Sequence, residues 1–111
     1  MPKKLIKKNK YYNYIMNLNI SKSNLKTKKY KAEFIKDNKV VKTTHFGAKG
    51  MSDYTIHKDK ARRERYRKRH SKDLKTKDPT RAGYLSYYIL WGDSSNFSKA
   101  VKEYKKRFNF K

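Results

Sequence analysis

The sequence predicts an α+β fold in which a β-hairpin packs with about three α-helices in one small domain, behind a flexible basic N-terminal arm. Three observations predict it. An alternating apolar stretch at 29–47 is broken by Asp37 and Asn38, a helix start-and-stop pattern bounds 79–91, and an apolar stripe of helical period runs from Phe97 to Phe108. A chain of 111 residues that is 35% hydrophobic has material for one core and not for two.

Residues 1–28 are rich in Lys, Asn and Ser, with only a weak apolar pattern at Tyr11, Tyr14, Ile15 and Leu18. They are expected to form a basic arm without a stable element, followed by a single domain over 29–111. In the hairpin, Tyr30, Ala32 and Phe34 alternate with Lys31 and Glu33, Asp37 and Asn38 supply the turn, and Val40 to Phe46 is β-branched and aromatic. Two strands alone are marginal, so their apolar face must rest on the helices that follow.

The first helix is expected over 59–71, begun by Asp59; beyond Ala61 and Tyr66 it has almost no apolar face. The second is expected over 79–91, with Asp78 as cap, Pro79 at the first helical position and Gly92 past the end. Its apolar residues, Tyr84, Leu85, Tyr87, Tyr88, Ile89, Leu90 and Trp91, surround the axis. That marks either a central core element or a partner surface. The third, over 95–108 and capped by Ser94 or Ser95, carries Phe97, Val101, Tyr104 and Phe108 within about 60° of one another on a helical wheel.

The formal charge is +23, from 32 basic and 9 acidic residues, far more than solubility asks of a small domain. A polyanionic partner is the first expectation. Genome composition is an alternative source of the lysines, because Lys, Asn, Tyr and Ile share adenine- and thymine-rich codons. It accounts less well for arginine: of 7 Arg residues, five fall between 62 and 69. Arg presents a planar fork that matches phosphate oxygens in pairs, where Lys presents a point charge.

Before that cluster, Ser52, Tyr54 and Thr55 offer hydroxyl donors. The expected nucleic-acid contacts are Lys49, Ser52, Tyr54, Lys58, Lys60, Arg62, Arg63, Arg65, Arg67, Lys68, Arg69 and Lys72, with arm contacts from Lys3, Lys4, Lys7, Lys8, Lys10, Tyr11 and Tyr12. The arm tyrosines can stack on unpaired bases. A merely solvated charged helix is the competing reading of the same run.

Cysteine is absent, which excludes disulfides and thiolate metal sites. No apolar run reaches the length of a membrane span or a signal-peptide core, so a soluble, intracellular protein is expected. His45, His57 and His70 with Asp53 and Asp59 are the raw material of a metal-dependent nuclease, but their spacing matches no ligand signature. Catalysis, a metal, a cofactor, a membrane and a small-molecule substrate are therefore not expected.

The block from GMSDYTIHKDKARRERYRKRH (50–70) through DPTRAGYLSYYILWG (78–92) resembles a family of small, uncharacterised basic proteins encoded by large double-stranded DNA viruses of algae and amoebae. Leu74 and the pair Tyr87 and Tyr88 stand where that family carries bulkier, Trp-bearing segments. The resemblance implies a viral origin and a place in the virion, or in the nucleus or viral factory of an infected host. It implies no established activity. The combined expectation is a non-enzymatic protein that coats or condenses nucleic acid, DNA ahead of RNA, with little sequence preference. The alternative is a minor capsid or internal scaffold protein whose basic surface cements acidic virion proteins, a role that an exposed 79–91 helix would serve.

Overall fold

The computed structural model describes residues 16–111, so the expected arm contacts Lys3, Lys4, Lys7, Lys8, Lys10, Tyr11 and Tyr12 lie outside the described residues. Strands β1 (Asn17–Lys22), β2 (Lys28–Lys36) and β3 (Lys39–Ala48) form an antiparallel sheet in the order β1-β2-β3. Helices α1 (Tyr54–His57), α2 (Lys60–His70), α3 (Ala82–Leu85) and α4 (Phe97–Phe108) follow, with a 3-10 helix over Ser71–Thr76. The fold is α+β.

The hairpin forms as the alternation and turn chemistry dictate. Asp37 and Asn38 both take left-handed backbone angles, φ 51° and 63°, which short polar side chains tolerate and which match the twist of the flanking strands. Phe34 pairs with Lys42 and Ile35 with Val40, leaving Val41 as an extra residue in a β-bulge.

The sheet has a third strand where the sequence suggested only an arm. β1 runs antiparallel to β2, with Leu18 opposite Phe34 and Ile20 opposite Ala32. Met16 and Leu18 are buried in the core. Residues 16–22, within the stretch expected to be an arm, thus belong to the folded sheet. The outer edge of β1 is covered by the C-terminus: Leu18 N–H donates to the Lys111 carbonyl oxygen (2.7 Å) and Lys111 N–H to that of Met16 (2.9 Å).

One face of the sheet, carrying Leu18, Ala32, Phe34 and Phe46, packs on Leu85, Ile89, Leu90, Ala100 and Tyr104. The apolar stripe of α4 lies toward this core, with Tyr104 buried and donating its hydroxyl to the Pro79 carbonyl oxygen at 2.6 Å. Asn96, not Ser94 or Ser95, caps α4, accepting the Lys99 N–H at 2.9 Å.

The 79–91 segment is a core element, but not one regular helix. Asp78 accepts from the backbone N–H (2.9 Å) and the hydroxyl (2.6 Å) of Thr80, so it holds a turn at Pro79 and Thr80 and does not start a helix. Helix geometry begins at Ala82 and changes to a π-helix over Ser86–Leu90, closed by Trp91 N–H donating to the Ser86 carbonyl oxygen at 3.1 Å. Gly92 ends it because any Cβ there would lie 2.0 Å from the Tyr88 carbonyl oxygen.

Candidate nucleic-acid interface

Helix α2 starts where Asp59 accepts the N–H groups of Ala61 (3.0 Å) and Arg62 (3.1 Å). The hydrogen bond from Arg62 N–H is the main reason the Asp59 carboxyl titrates below its ordinary range. None of its residues is fully buried. A helix with so little apolar surface has to be attached by other means.

Arg63 and Arg67 attach it on one side. Arg67 Nε donates to the Trp91 carbonyl oxygen and Nη2 to Asp93 Oδ1, each at 2.8 Å. Arg63 Nε donates to Glu64 at 2.8 Å, and its guanidinium lies 4.7 Å from the centre of the Tyr54 ring. On the adjoining side Tyr66 is clamped between two rings, with centroids 4.3 Å from Trp91 and 4.1 Å from His70. Beside Trp91 lies the His57 ring, tilted by 53° with its centroid at 5.3 Å, and its Nδ1 accepts the Asp59 N–H.

Arg62, Arg65 and Arg69 face elsewhere. Their spacing of three and four residues places them along one side of α2, with Tyr66 and His70 beside them. All three are exposed, and among the described residues none makes a side-chain hydrogen bond or an ion pair; Arg65 acts on Asp59 only through its field. They line a cleft of about 450 Å³. Its opposite wall is the open end of the hairpin, where Lys28, Gly47 and Ala48 lie, and its floor includes Ser86, Leu90 and Trp91. Lys29, also on that wall, is bound to buried Asp53 at 2.6 Å, and Asp53 also accepts from the Thr55 N–H and hydroxyl. Lys28 is left with no side-chain partner among the described residues.

The expected contact residues therefore divide. Arg62, Arg65, Arg69 and Ser52 converge on the cleft. Arg63 and Arg67 are committed to the protein itself, and Tyr54 is buried beneath Arg63, so none of these three reaches outward as expected. Lys49, Lys58, Lys60, Lys68 and Lys72 are exposed and lie outside the cleft lining. Sequence reasoning missed Lys28, Ser86 and Trp91, which come from elements distant in the chain. The alternation of β2 and the π-helix floor bring them in, and neither signals a cleft locally.

Each of the three histidines is hydrogen-bonded within the protein: His45 to Ser23, His57 to the Asp59 backbone and His70 to Asp73. Among the described residues no three His, Asp or Glu side chains are placed to share a metal ion.

Residues 18–70, just under half of the chain, match a family described only as a family of unknown function, DUF5754. That match spans the sheet and α2, the two walls of the cleft, and stops before the floor. No curated protein and no solved structure matches the chain.

Proposed function

We propose that the protein is a non-enzymatic nucleic-acid-binding protein that grips phosphates through Arg62, Arg65, Arg69 and Lys28, with little sequence preference. The observation that carries this reading is the division of the arginine cluster. The fold spends Arg63 and Arg67 on its own acceptors and leaves three guanidiniums side by side with no hydrogen-bond or ion-pair partner among the described residues, in a chain of net charge +23. Unspent guanidinium forks are suited to paired phosphate oxygens, and the excess charge favours any polyanion at low salt.

Together with the resemblance to basic proteins of large DNA viruses, the reading extends to a protein carried with a viral genome, DNA ahead of RNA. The capsid-cement alternative, which rests on the same basic surface, would have been served by an exposed apolar helix at 79–91. Tyr84, Leu85, Ile89 and Leu90 are buried there, which removes that support.

The test is fluorescence anisotropy of a labelled duplex across a salt series. Affinity that falls linearly in log-log form supports phosphate binding, and a slope near zero overturns it.

A further inference from the structure

The cleft beside α2 is too small for what a polyanion reading alone would put there. Its volume of about 450 Å³ sits within the range of small-ligand pockets, about 300–1,000 Å³. A duplex, whose major groove alone is about 12 Å wide, cannot enter it. Arg62 to Arg69 span about 10 Å of helix along its rim, room for a short phosphate chain and not for the length of a strand.

The lining also changes character with depth. The guanidiniums stand at the mouth, where Met51, 62% exposed, offers a flexible apolar surface. Buried Leu90 lies deeper, with Ala82 and the Ser86 hydroxyl, which is hydrogen-bonded to Tyr66; the Asp73 carboxylate, 32% exposed and holding His70 Nδ1 at 3.1 Å through one oxygen, lies beside Gly83. That carboxylate repels phosphate, and its other oxygen can accept a hydrogen bond from a hydroxyl or amino group. The ligand that fits is anionic at one end and, at the other, partly apolar with donors.

Tyr66 has no face left for stacking, with Trp91 on one side and His70 on the other, while Trp91 has Tyr66 stacked on it and His57 tilted at 53° beside it. The floor contains the π-helix Ser86–Leu90, a rare geometry frequent at functional sites.

Resting on the reading of Arg62, Arg65 and Arg69 as phosphate binders, we infer that this cleft is a binding site for a single nucleoside phosphate, with its phosphates on these guanidiniums and its sugar and base toward Ser86 and Asp73. The same chemistry is presented by a free nucleotide and by the 5′-phosphorylated end of a single strand.

Trp91 is the chain's one tryptophan and lines the cleft, so its fluorescence reports occupancy. The full chain is titrated with ATP, AMP, inorganic triphosphate, and a short single strand with either a 5′-phosphate or a 5′-hydroxyl. The expected result is a saturable one-to-one change with ATP at least tenfold tighter than with inorganic triphosphate. If AMP and ATP bind and the two strand ends do not differ, the ligand is a free nucleotide; if the 5′-phosphate strengthens strand binding at least tenfold, it is a strand end. Ala48→Phe, at an exposed position on the cleft wall, abolishes the fluorescence change while its melting temperature stays at the wild-type value. Equal binding of inorganic triphosphate and ATP overturns the inference, as does a fluorescence change that survives Ala48→Phe. Salt-dependent duplex binding with no saturable response to any of the small ligands overturns it while leaving the phosphate-binding reading intact.

Discussion

Arg67 and Asp93 meet side chain to side chain at 2.8 Å across 26 residues of sequence, joining the middle of α2 to the segment just past the π-helix. The Arg67 hydrogen bond, followed by the guanidinium charges around it, holds the Asp93 carboxyl below the usual carboxylate range. A second prong of the same guanidinium reaches the Trp91 carbonyl oxygen. One side chain thus uses the planar fork for which arginine differs from lysine, and uses it inside the protein.

Replacing Arg67 by Lys is expected to cost roughly 1–2 kcal/mol, since one amine cannot serve both acceptors and the Asp93 end is largely exposed. In a domain of this size that is several degrees of melting temperature. Arg65→Lys is expected to leave melting unchanged and to weaken phosphate binding through loss of the paired hydrogen bonds. Calorimetry and anisotropy on the two variants check the division. Equal melting temperatures would overturn it.

That division was not legible in the sequence, although the cluster was. Arginines 62, 63, 65, 67 and 69 look alike until Trp91 and Asp93 are placed, because only their position decides which side of α2 faces the protein. Local chemistry was legible: the Asp59 cap, the turn at Asp37 and Asn38, and the stripe from Phe97 to Phe108 all act within a few residues. β1 was hidden because Leu18 and Ile20 make too short an alternation to announce a strand without the partners that β2 supplies. The 79–91 helix started late because Asp78 had a closer use for its carboxylate in the Thr80 turn.

The unspent guanidiniums carry a salt signature. Each phosphate neutralised contributes about 0.9 to the log-log slope, so the triple variant Arg62→Ala, Arg65→Ala, Arg69→Ala should flatten the slope on duplex DNA by up to about 2.7. Arg63→Ala should leave the slope unchanged, because that side chain is turned to Glu64 and Tyr54. Identical slopes for wild type and triple variant would move the interface away from the cleft.

The third strand is open to a direct test. Leu18 is 2% exposed and stands opposite Phe34, so Leu18→Ala should cost about 2–5 kcal/mol through lost burial and the cavity left behind. Chemical denaturation measures it. A loss under about 0.5 kcal/mol would mean that β1 contributes no more than an exposed arm would.

Tyr66 predicts the alkaline behaviour of the protein. Burial, aided by the Asp73 carboxylate, pushes its phenol up to about 12, against the opposing pull of a hydrogen bond with Ser86 and the charge of Arg69. In the unfolded chain the phenol titrates near 10, so between those values the folded state holds a proton that the unfolded state has lost. The stabilisation is complete below pH 10 or so and drains away as pH rises through 12. Tyr66→Phe cannot ionise, so its melting temperature should fall less steeply over that interval. Some fall should persist, since burial also raises Tyr30 and Tyr84 and lysine neutralisation is common to both proteins. Tyrosinate absorbance supplies the independent readout: the wild-type titration should contain one late phenol that the variant lacks. If the two absorbance curves differ instead by a phenol titrating near 10, Tyr66 is open to water and the ring stack that attaches α2 to Trp91 does not form.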